Sequence, residues 1–463
     1  MYNSIDECKN NYDKEKIYTH LKYPNKKLLT NFILSNIELD KFLNKNLEVK
    51  LINNKSNKID LNNKLKNYLD NKIKNSKFDF INRNETLKNT FKYLFNNTLQ
   101  GLYVKIIKNK IKIFYFFYNE GYNNDWIDNI YIPEYLKNRK NIDKNTKNWS
   151  SNNCIINNRF IAKQHNNNNN MEFARVLEFK CFIKNVCKNY KIKDIDFFIN
   201  RRDFPVIRND DKHPYYHLYD EVSKFKTNKY ISIFSQSISN NYADIPFVNV
   251  DDIMLLTQKA YAPKCKISIF PKQINWDNKI NTAFFRGSAT GCGVTIKTNQ
   301  RLKLAKISYD LKNKSILDAG VVSWNYRDKI YNKQLTLINP KKLGFPLVNK
   351  VTLEEQNKYK YLIHIDGHVS AYRLLRELDS GSIVLKVESK NNYEMWFSSL
   401  LEEYINYIPI KKDLSDLIDK IKWCKNNDDK CKKIAENAMI LRKNILNLET
   451  AEKYMAYSLN NIN

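Results

Sequence analysis

The second half of the chain alternates short apolar runs with amphipathic helical patterns, and this alternation restricts the folds that it can adopt. From residue 281 onward, five runs are typical of buried strands: "NTAFFR", "ILDAGVV", "YKYLIHID", "SIVLKV" and "YIPI". The segments predicted as helices are "TNQRLKLAKISYDL", "VSAYRLLREL", "YEMWFSSLL" and "DLSDLIDKIKWCKNN". Helices of this length let the chain cross back over a sheet, so the pattern predicts a doubly wound parallel sheet.

A similar series occurs earlier in the chain. Its helix and strands are predicted at "MEFARVLEFKCFIKNVCKNY", "DIDFFIN" and "KYISIFSQS". The series predicts a further α/β domain, and ligands of open α/β sheets usually bind in a cleft at the carboxyl ends of the strands. Before it, "GLYVKIIKNKIKIFYFFYN" has two β-rich runs around Lys108 and Asn109, which indicates a hairpin. The tail from Lys430 is predicted to be helical.

The composition excludes several classes of protein. The formal charge of +29 suggests nucleic-acid binding, but Lys is mixed evenly with Asn, Ile and Tyr and forms no basic stripe, so we expect no nucleic-acid partner. No run of about 18 apolar residues and no secretory signal pattern occur, so we expect a soluble, cytoplasmic protein. The eight cysteines form no C-x-x-C pair, which favours reduced thiols over a disulfide framework or a zinc site.

A glycine cluster follows the first strand of the second series. In "NTAFFRGSATGCG", Gly287, Gly291 and Gly293 lie within seven positions of a chain that has only nine glycines. Glycine lets backbone N–H groups approach an anion, and Arg286, Ser288 and Arg301 could add charged or hydroxyl donors at the start of a helix. The segment therefore predicts a phosphate site, although the spacing matches neither G-x-G-x-x-G nor the P-loop, and a structural turn is the alternative.

A second strand-to-helix junction supports the phosphate interpretation. In "YLIHIDGHVSAYRLLREL", Asp366 and Gly367 end the strand, and the first helical turn is predicted to expose N–H groups near Ser370, with Arg373 one turn on. Two such junctions at the carboxyl ends of parallel strands predict a site for a nucleotide diphosphate. Alternatively, Asp366 only caps the helix and Arg373 is a solvated surface residue.

A carboxylate follows the buried strand of the earlier series. In "DIDFFINRRDFPV", Asp203 lies on the loop after the strand, and Arg201 and Arg202 would keep it ionised, so that it could act as a general base. A surface Arg–Asp pair stiffened by proline is the alternative. The His pairs in "HPYYH" and "HIDGH" lack a third ligand on a helix, so we expect no metal.

Taken in order, these segments resemble glycosyltransferase family 90, which includes the Rumi-like protein O-glucosyltransferases and the capsule-associated xylosyltransferases. The resemblance extends from about Trp149 to Leu446. Its markers are "WSSNNCII", "DIDFFINRRDFP", "YISIFSQSISNNYADIPF", "TAFFRGSATGCG", "ILDAGVVSWN", "YKYLIHIDGHVSAYRL" and "YIPIKKDLSDLIDKIKWCKNND". The segment "TGCGVTIKTNQ" before Arg301 is longer than in the animal members.

The resemblance implies a GT-B architecture, with two Rossmann-like domains facing across a cleft. It also implies an inverting, metal-independent transfer, without a cofactor, from a UDP-sugar to a hydroxyl of a protein or glycan. By motif match, Asp203 would be the catalytic base. The residues that would line the UDP-sugar are Arg286, Gly287, Ser288, Arg301, Asp366, Gly367, Ser370 and Arg373.

The sequence pattern and the resemblance together predict four segments. Residues 1–148 form a mixed α/β N-terminal extension, 149–278 the Rossmann-like domain with the base and the acceptor side, 279–440 the Rossmann-like nucleotide-sugar domain, and 441–463 a C-terminal helix. We expect glucose or xylose as the donor sugar. For a viral chain the location would be the host cytoplasm or the virion. A catalytically inactive nucleotide-sugar or glycan-binding protein is the alternative, followed by a basic nucleic-acid-binding protein.

Overall fold

The computed structural model describes residues 59–76, 83–94, 98, 100–118, 171–209, 230–261, 273–325, 329–331 and 334–462. The segments "WSSNNCII" and "HPYYH" lie outside these ranges. The described residues fall into two compact units. The first unit holds those up to residue 261 together with those from Leu448 onward, and the second unit holds residues 273–447.

The first unit is built on a mixed five-stranded sheet. Its strands are β1 (Gln100–Ile107), β2 (Lys110–Tyr118), β3 (Ile195–Ile199), β4 (Ile233–Ser235) and β5 (Ile245–Pro246), in the order β2-β1-β3-β4-β5. Strand β1 is antiparallel to both β2 and β3, whereas β3, β4 and β5 are parallel. The predicted hairpin is confirmed, and both turn residues, Lys108 and Asn109, have positive φ angles of 48° and 61°, which a two-residue type I′ turn requires.

The boundary predicted at residues 148 and 149 does not divide this sheet. Strands β1 and β2, from the predicted N-terminal extension, pair with β3. Among the described residues up to 261, the helices are α1 (Asn63–Asn75), α2 (Arg83–Tyr93), α3 (Met171–Asn189) and α4 (Val250–Tyr261). The residues of β3 are all buried, because the sheet carries helices and is covered by aromatic side chains such as Phe179 and Phe247.

The second unit contains the parallel sheet predicted from the sequence. Its strands are β6 (Ile280–Ser288), β7 (Leu317–Ser323), β10 (Tyr359–His364), β11 (Ile383–Val387) and β12 (Ile408–Ile410). They lie in the order β12-β11-β10-β6-β7 and all pair in parallel. A small separate hairpin, β8 (Lys329–Tyr331) and β9 (Gln334–Thr336), was not predicted.

Among the residues that the structure describes, five α-helices accompany this sheet. They are α5 (Gln300–Leu311), α6 (Leu353–Gln356), α7 (Leu374–Leu378), α8 (Leu417–Asn426) and α9 (Asp428–Ile440). The chain then forms α10 (Leu448–Asn461), which packs against α3 and α1 and belongs to the first unit. The C-terminal helix is therefore part of the first unit's core, with Tyr454 and Met455 fully buried.

Two predicted helices are largely wrong. The segment "VSAYRLLREL" is helical only from Leu374, so the backbone at Ser370 is a loop and not a helical turn. The segment "YEMWFSSLL" forms only the 3-10 turn Ser398–Leu400. There the Ser398 Oγ accepts a hydrogen bond from the Met395 N–H at 2.8 Å, and such side-chain bonds to the backbone compete with helix formation.

The cysteines do not all follow the sequence prediction. Cys181 is disulfide-bonded, so the expectation of reduced thiols is wrong at this position. Cys187, Cys292, Cys424 and Cys431 are free thiols. Within the described ranges, no helix is both long and apolar enough to span a membrane.

Candidate functional site

The topology of the second sheet creates a crevice between β6 and β10. The chain passes from β6 to β7 on one side, and its next strand in this sheet, β10, lies on the other side of β6. The connections therefore diverge at the carboxyl ends of these two strands, which is where open parallel sheets bind their ligands. Two segments meet there, the β6 junction (residues 286–299) and the β10 junction (residues 365–373). Seven of the eight predicted donor-site residues lie on these junctions, and the eighth, Arg301, follows directly in α5.

Arg301 ties the two junctions together. Its Nε donates to the Asp366 carbonyl at 2.9 Å and its Nη2 to the Ile365 carbonyl at 3.0 Å. Its Nη1 donates to the Ser288 carbonyl at 3.1 Å and to the Thr290 Oγ1 at 2.6 Å. Burial, followed by the charge of a neighbouring arginine, lowers the pKa of Arg301 to about 9, and the side chain is still a cation at pH 7. The planar fork of arginine suits this role because it reaches acceptors on both sides at once.

Arg286 makes its contacts within the sheet. Its Nη2 forms an ion pair with Asp318 of β7 at 2.8 Å, and its Nη1 donates to the Asp318 carbonyl at 2.9 Å. Its guanidinium also lies 4.5 Å from the centre of the Phe284 ring. The Ser288 hydroxyl accepts a hydrogen bond from Ser323 at 2.8 Å. These contacts make Arg286 a link between β6 and β7.

Arg373 retains hydrogen-bonding capacity. Its Nε lies 2.9 Å from the Glu377 Oε1, its Nη1 donates to the Arg286 carbonyl at 3.0 Å, and its guanidinium lies 4.9 Å from the Phe285 ring centre. Its Nη2 has no hydrogen-bond partner among the described residues. The side chain is 24% exposed, so the solvated-surface alternative does not describe it. One N–H group of Arg373, on an Nη2 that is itself buried, is therefore not used by the described residues.

Glu377 was not among the site residues predicted from the sequence. The Glu377 Oε2 lies 2.5 Å from the His364 Nδ1, so Glu377 bridges this histidine and Arg373. Burial alone would raise the pKa of Glu377, but the charges of His364 and Arg373 outweigh it and hold the pKa below its usual value. The spacing of Arg373 and Glu377, four residues apart, was the available signal. The contact with Glu377 fixes the orientation of the Arg373 guanidinium.

The glycines are explained by packing within the chain. A Cβ on Gly287 would lie 2.9 Å from the Phe285 ring, and one on Gly367 would lie 2.8 Å from the Thr290 Oγ1. Gly291 and Gly293 have φ angles of +132° and +113°, which side chains rarely adopt. The structural-turn alternative therefore accounts for Gly291 and Gly293, whereas Gly287 leaves room for the Phe285 ring and Gly367 allows the two junctions to approach each other.

The start of α5 is capped by the chain itself. The Asn299 Oδ1 accepts hydrogen bonds from the N–H groups of Arg301 and Leu302 at 3.0 and 3.2 Å. Two of the free N–H groups that the phosphate interpretation assigned to this helix are thus already satisfied. The positive charge available to an anion here comes from side chains more than from this helix end.

A surface pocket adjoins the two junctions. The side chains and backbone that line it include Cys292, Gln300, Asp366, Gly367, Ser389 and Tyr393. The Asp366 Oδ1 accepts from the Ala371 N–H at 3.3 Å, while its Oδ2 has no hydrogen-bond partner within the described part of the chain. Burial raises the pKa of Cys292 to about 11, so it is a protonated thiol and not a nucleophile at pH 7.

Asp203 lies in the first unit, on the loop that follows β3. Its side chain is exposed, whereas Arg201 and Arg202 are buried. The Arg202 Nε donates to the Thr98 carbonyl at 2.8 Å, and the Arg201 guanidinium lies 5.4 Å from the Phe179 ring centre. The alternative of a surface Arg–Asp pair required surface arginines, and neither Arg201 nor Arg202 is one. The loop therefore exposes Asp203 while its two arginines are buried inside the unit.

The described residues offer no metal site. His364 contacts Glu377, and the His368 Nδ1 accepts from the Gly291 N–H at 3.3 Å. Among the residues that the structure describes, no three His, Cys, Asp or Glu side chains come together in a way that could hold a metal ion.

Comparison with known proteins gives one family. The model of "Glycosyl transferase family 90" matches residues 132–462. The uncharacterized protein 179R of Invertebrate iridescent virus 6 is 37% identical over 444 residues, covering 81% of this chain and 37% of that protein. Protein O-glucosyltransferase 2 of Danio rerio is 30% identical over 260 residues, covering 55% of this chain and 44% of that protein. The chain thus spans less than half the length of these relatives.

Solved structures are only distantly similar. Anabaena HepE in complex with UDP matches with a TM-score of 0.26 and 8% identity, covering 50% of this chain and 64% of that one. TarM matches with a TM-score of 0.29 and 10% identity, covering 51% of each chain.

Proposed function

The chain belongs to glycosyltransferase family 90, and we propose that it transfers a sugar, with inversion, from a UDP-sugar to a hydroxyl of a protein or glycan. The observation that carries the proposal is the convergence of two junctions at the switch point of the second sheet, where Arg373 has an unused N–H. The proposal includes a GT-B arrangement, in which the two Rossmann-like units face each other across a cleft.

The donor would bind at the crevice between β6 and β10. Arg373 would donate from its Nη2 to the diphosphate, with Glu377 holding the guanidinium in place. Gly287, Ser288, Gly367 and Ser370 would bring backbone close to the UDP-sugar, and Asp366 would face it with its free carboxylate oxygen. Arg301 and Arg286 would shape the crevice through the sheet contacts that they already make.

The chemistry follows from where charge develops. As the bond between the anomeric carbon and the UDP oxygen breaks, negative charge grows on the diphosphate, so an oriented cation stabilises the transition state more than the ground state. Because arginine supplies this charge, the proposed reaction has no metal and no cofactor. Asp203 would accept the acceptor's hydroxyl proton while the acceptor oxygen attacks the face opposite UDP. One such displacement inverts the anomeric centre.

The relatives suggest which donor to test first. Several are named protein O-glucosyltransferases. One of them is protein O-glucosyltransferase 3 of Homo sapiens, which is 35% identical to this chain over 172 residues. We therefore propose glucose as the first sugar and xylose as the second. Discrimination between them would depend on the contacts around the C6 hydroxymethyl group, which xylose lacks.

The test is an Asp203→Asn variant assayed for UDP release and sugar transfer from UDP-glucose and UDP-xylose. General-base catalysis contributes about 10²- to 10⁴-fold, so transfer should fall by about 100-fold or more while the Kd for UDP stays unchanged. Asp194→Asn is the matched control, because Asp194 is also exposed but lies at the amino end of β3, where it accepts from the Lys108 N–H at 2.6 Å.

Three results would be informative. Full activity in Asp203→Asn would refute the assignment of the base. UDP binding by the unaltered protein, without transfer to any acceptor or to water, would favour the inactive nucleotide-sugar-binding alternative. Loss of activity in the Asp194→Asn control would mean that the assay reports general damage to the unit.

A further inference from the structure

The loop that carries Asp203 is closed at its start by Asn200. The Asn200 Oδ1 accepts from the Arg202 N–H at 2.8 Å, and its Nδ2 donates to the Phe204 carbonyl. The same Nδ2 donates to the Ser235 Oγ at 3.0 Å. Asn200 is completely buried. Its side chain therefore holds the backbone on both sides of Asp203 in a tight turn.

The end of the same loop is held by Asp244. The Asp244 Oδ1 accepts from the Val206 N–H at 2.8 Å, and its Oδ2 accepts from the Ile207 N–H at 2.7 Å. The Ser235 hydroxyl donates to the Asp244 Oδ1 at 2.5 Å. Asp244 is 1% exposed and immediately precedes β5. Burial raises the pKa of Asp244 to about 6, so at pH 7 it is ionised and accepts all three bonds.

Ser235 joins the two anchors into one network. It is the last residue of β4 and is fully buried, and its hydroxyl accepts from Asn200 while it donates to Asp244. The parallel pairing of β3 with β4 and of β4 with β5 places the ends of these three strands side by side. The loop of residues 200–207 is thus fixed at both ends to the rigid edge of the sheet.

We propose that Asp244 is a positioning residue that, through this network, holds Asp203 where it can accept a proton; the inference rests on the proposed role of Asp203 as base. Only a carboxylate presents acceptors on both sides to two backbone N–H groups and a hydroxyl. An asparagine would turn its NH₂ group toward at least one donor and release that part of the loop. A catalytic group displaced by about 1 Å can lose about 100-fold in rate.

The experiment compares Asp244→Asn and Ser235→Ala with a matched control, Asp252→Asn. Asp252 is also 1% exposed and lies in the same unit, but its carboxylate accepts from the Asn249 Nδ2 at 2.6 Å at the start of α4. Three quantities are measured on each full-length variant: the kcat and KM for the UDP-sugar, the Kd for UDP, and hydrogen exchange of the Val206 and Ile207 amides.

Asp244→Asn should lower kcat by about 10- to 100-fold, with KM and the UDP Kd within about twofold, and exchange at Val206 and Ile207 should become faster. Ser235→Ala should act in the same direction and less strongly, since it leaves the two backbone bonds to Asp244 in place. Asp252→Asn should leave both kcat and the exchange of these two amides unchanged.

Faster loop exchange in Asp244→Asn with an unchanged kcat would overturn the inference while leaving the proposed function intact. Unchanged exchange would overturn it as well, because the loop would then not depend on Asp244. If the unaltered protein transferred no sugar, the proposed function would fail and the inference with it, and that outcome is recognised without any variant. If Asp244→Asn does not fold, Ser235→Ala alone tests the inference. Its kcat should fall while its KM stays unchanged, and an unchanged kcat would overturn the inference.

Discussion

Replacement of Arg301 by lysine tests whether this residue ties the two junctions together. Arg301 donates to three backbone carbonyls and to the Thr290 hydroxyl over distances of 2.6 to 3.1 Å. A lysine keeps the charge but gathers its N–H groups at one point, so we expect about two of the four acceptors to be left without a donor. Each buried acceptor without a partner costs about 1–3 kcal/mol, so the free energy of unfolding should fall by about 2–6 kcal/mol.

The loss of the tie should also separate the β6 and β10 junctions and weaken UDP binding. Urea unfolding followed by fluorescence gives the free energy, and calorimetric titration with UDP gives the Kd. Arg373→Lys is the comparison, because Arg373 is part of the proposed ligand contact and is 24% exposed. It should weaken UDP binding with a clearly smaller loss of stability than Arg301→Lys.

A different result would contradict this role of Arg301: a free energy of unfolding of Arg301→Lys within about 1 kcal/mol of that of the unaltered protein, together with much weaker UDP binding. Arg301 would then be a direct ligand of the nucleotide. A variant with both unchanged stability and unchanged binding would show that neither the tie nor the crevice depends on this guanidinium.

Two further predictions concern stability and the approach of the junctions. Burial raises the pKa of Glu452 from 4.5 to about 7, so the free energy of unfolding should fall as the pH rises from about 4.5 to 7. Glu452→Gln keeps an oxygen that accepts from Asn189 but cannot ionise. At about 1.4 kcal/mol per tenfold change in ionisation constant, this variant should be up to about 3 kcal/mol more stable than the unaltered protein at pH 8 and equally stable at pH 4. The same difference in stability at both pH values would contradict this prediction. Gly367→Ala places a Cβ 2.8 Å from the Thr290 Oγ1, which should cost about 1–3 kcal/mol and weaken UDP binding, measured by titration. Gly344→Ala, where φ is +69° but space is open, should lose stability alone.

Those parts of the fold that depend on local pattern were predictable. The parallel sheet of the second unit follows from apolar runs separated by helices, and the hairpin at Lys108 and Asn109 follows from a two-residue interruption between β-rich runs. The helix predicted over 369–378 begins only at Leu374. Asp366 and Gly367 make a turn, and residues 368–373 after it are not helical. That turn depends on Thr290 and Arg301, which are distant in sequence.

The candidate site was located from the sequence, but the different contacts that its arginines make were not predicted. A list of arginines near small residues does not show that Arg286 pairs with Asp318, that Arg301 spans two junctions, or that the Arg373 Nη2 has no partner among the described residues. These differences arise from strand order, since β7 and β10 flank β6. The Asp244 network was unpredictable for the same reason, because Asn200 lies 35 positions from Ser235 and 44 from Asp244, and these residues meet only through the pairing of β3, β4 and β5.

The most direct test of the account is nucleotide selectivity at the switch point of the second sheet. Thermal unfolding of the purified protein would be followed with UDP, GDP and CMP sugars, alongside Arg373→Met. A ligand present at about 100 times its Kd adds about 2.7 kcal/mol of stability, so we expect one or more UDP-sugars to raise the Tm of the unaltered protein, and GDP and CMP sugars to leave it unchanged. The shift should largely disappear in Arg373→Met. Equal stabilisation of both proteins by UDP-sugars, or none in either, would contradict the assignment of this crevice as the donor site.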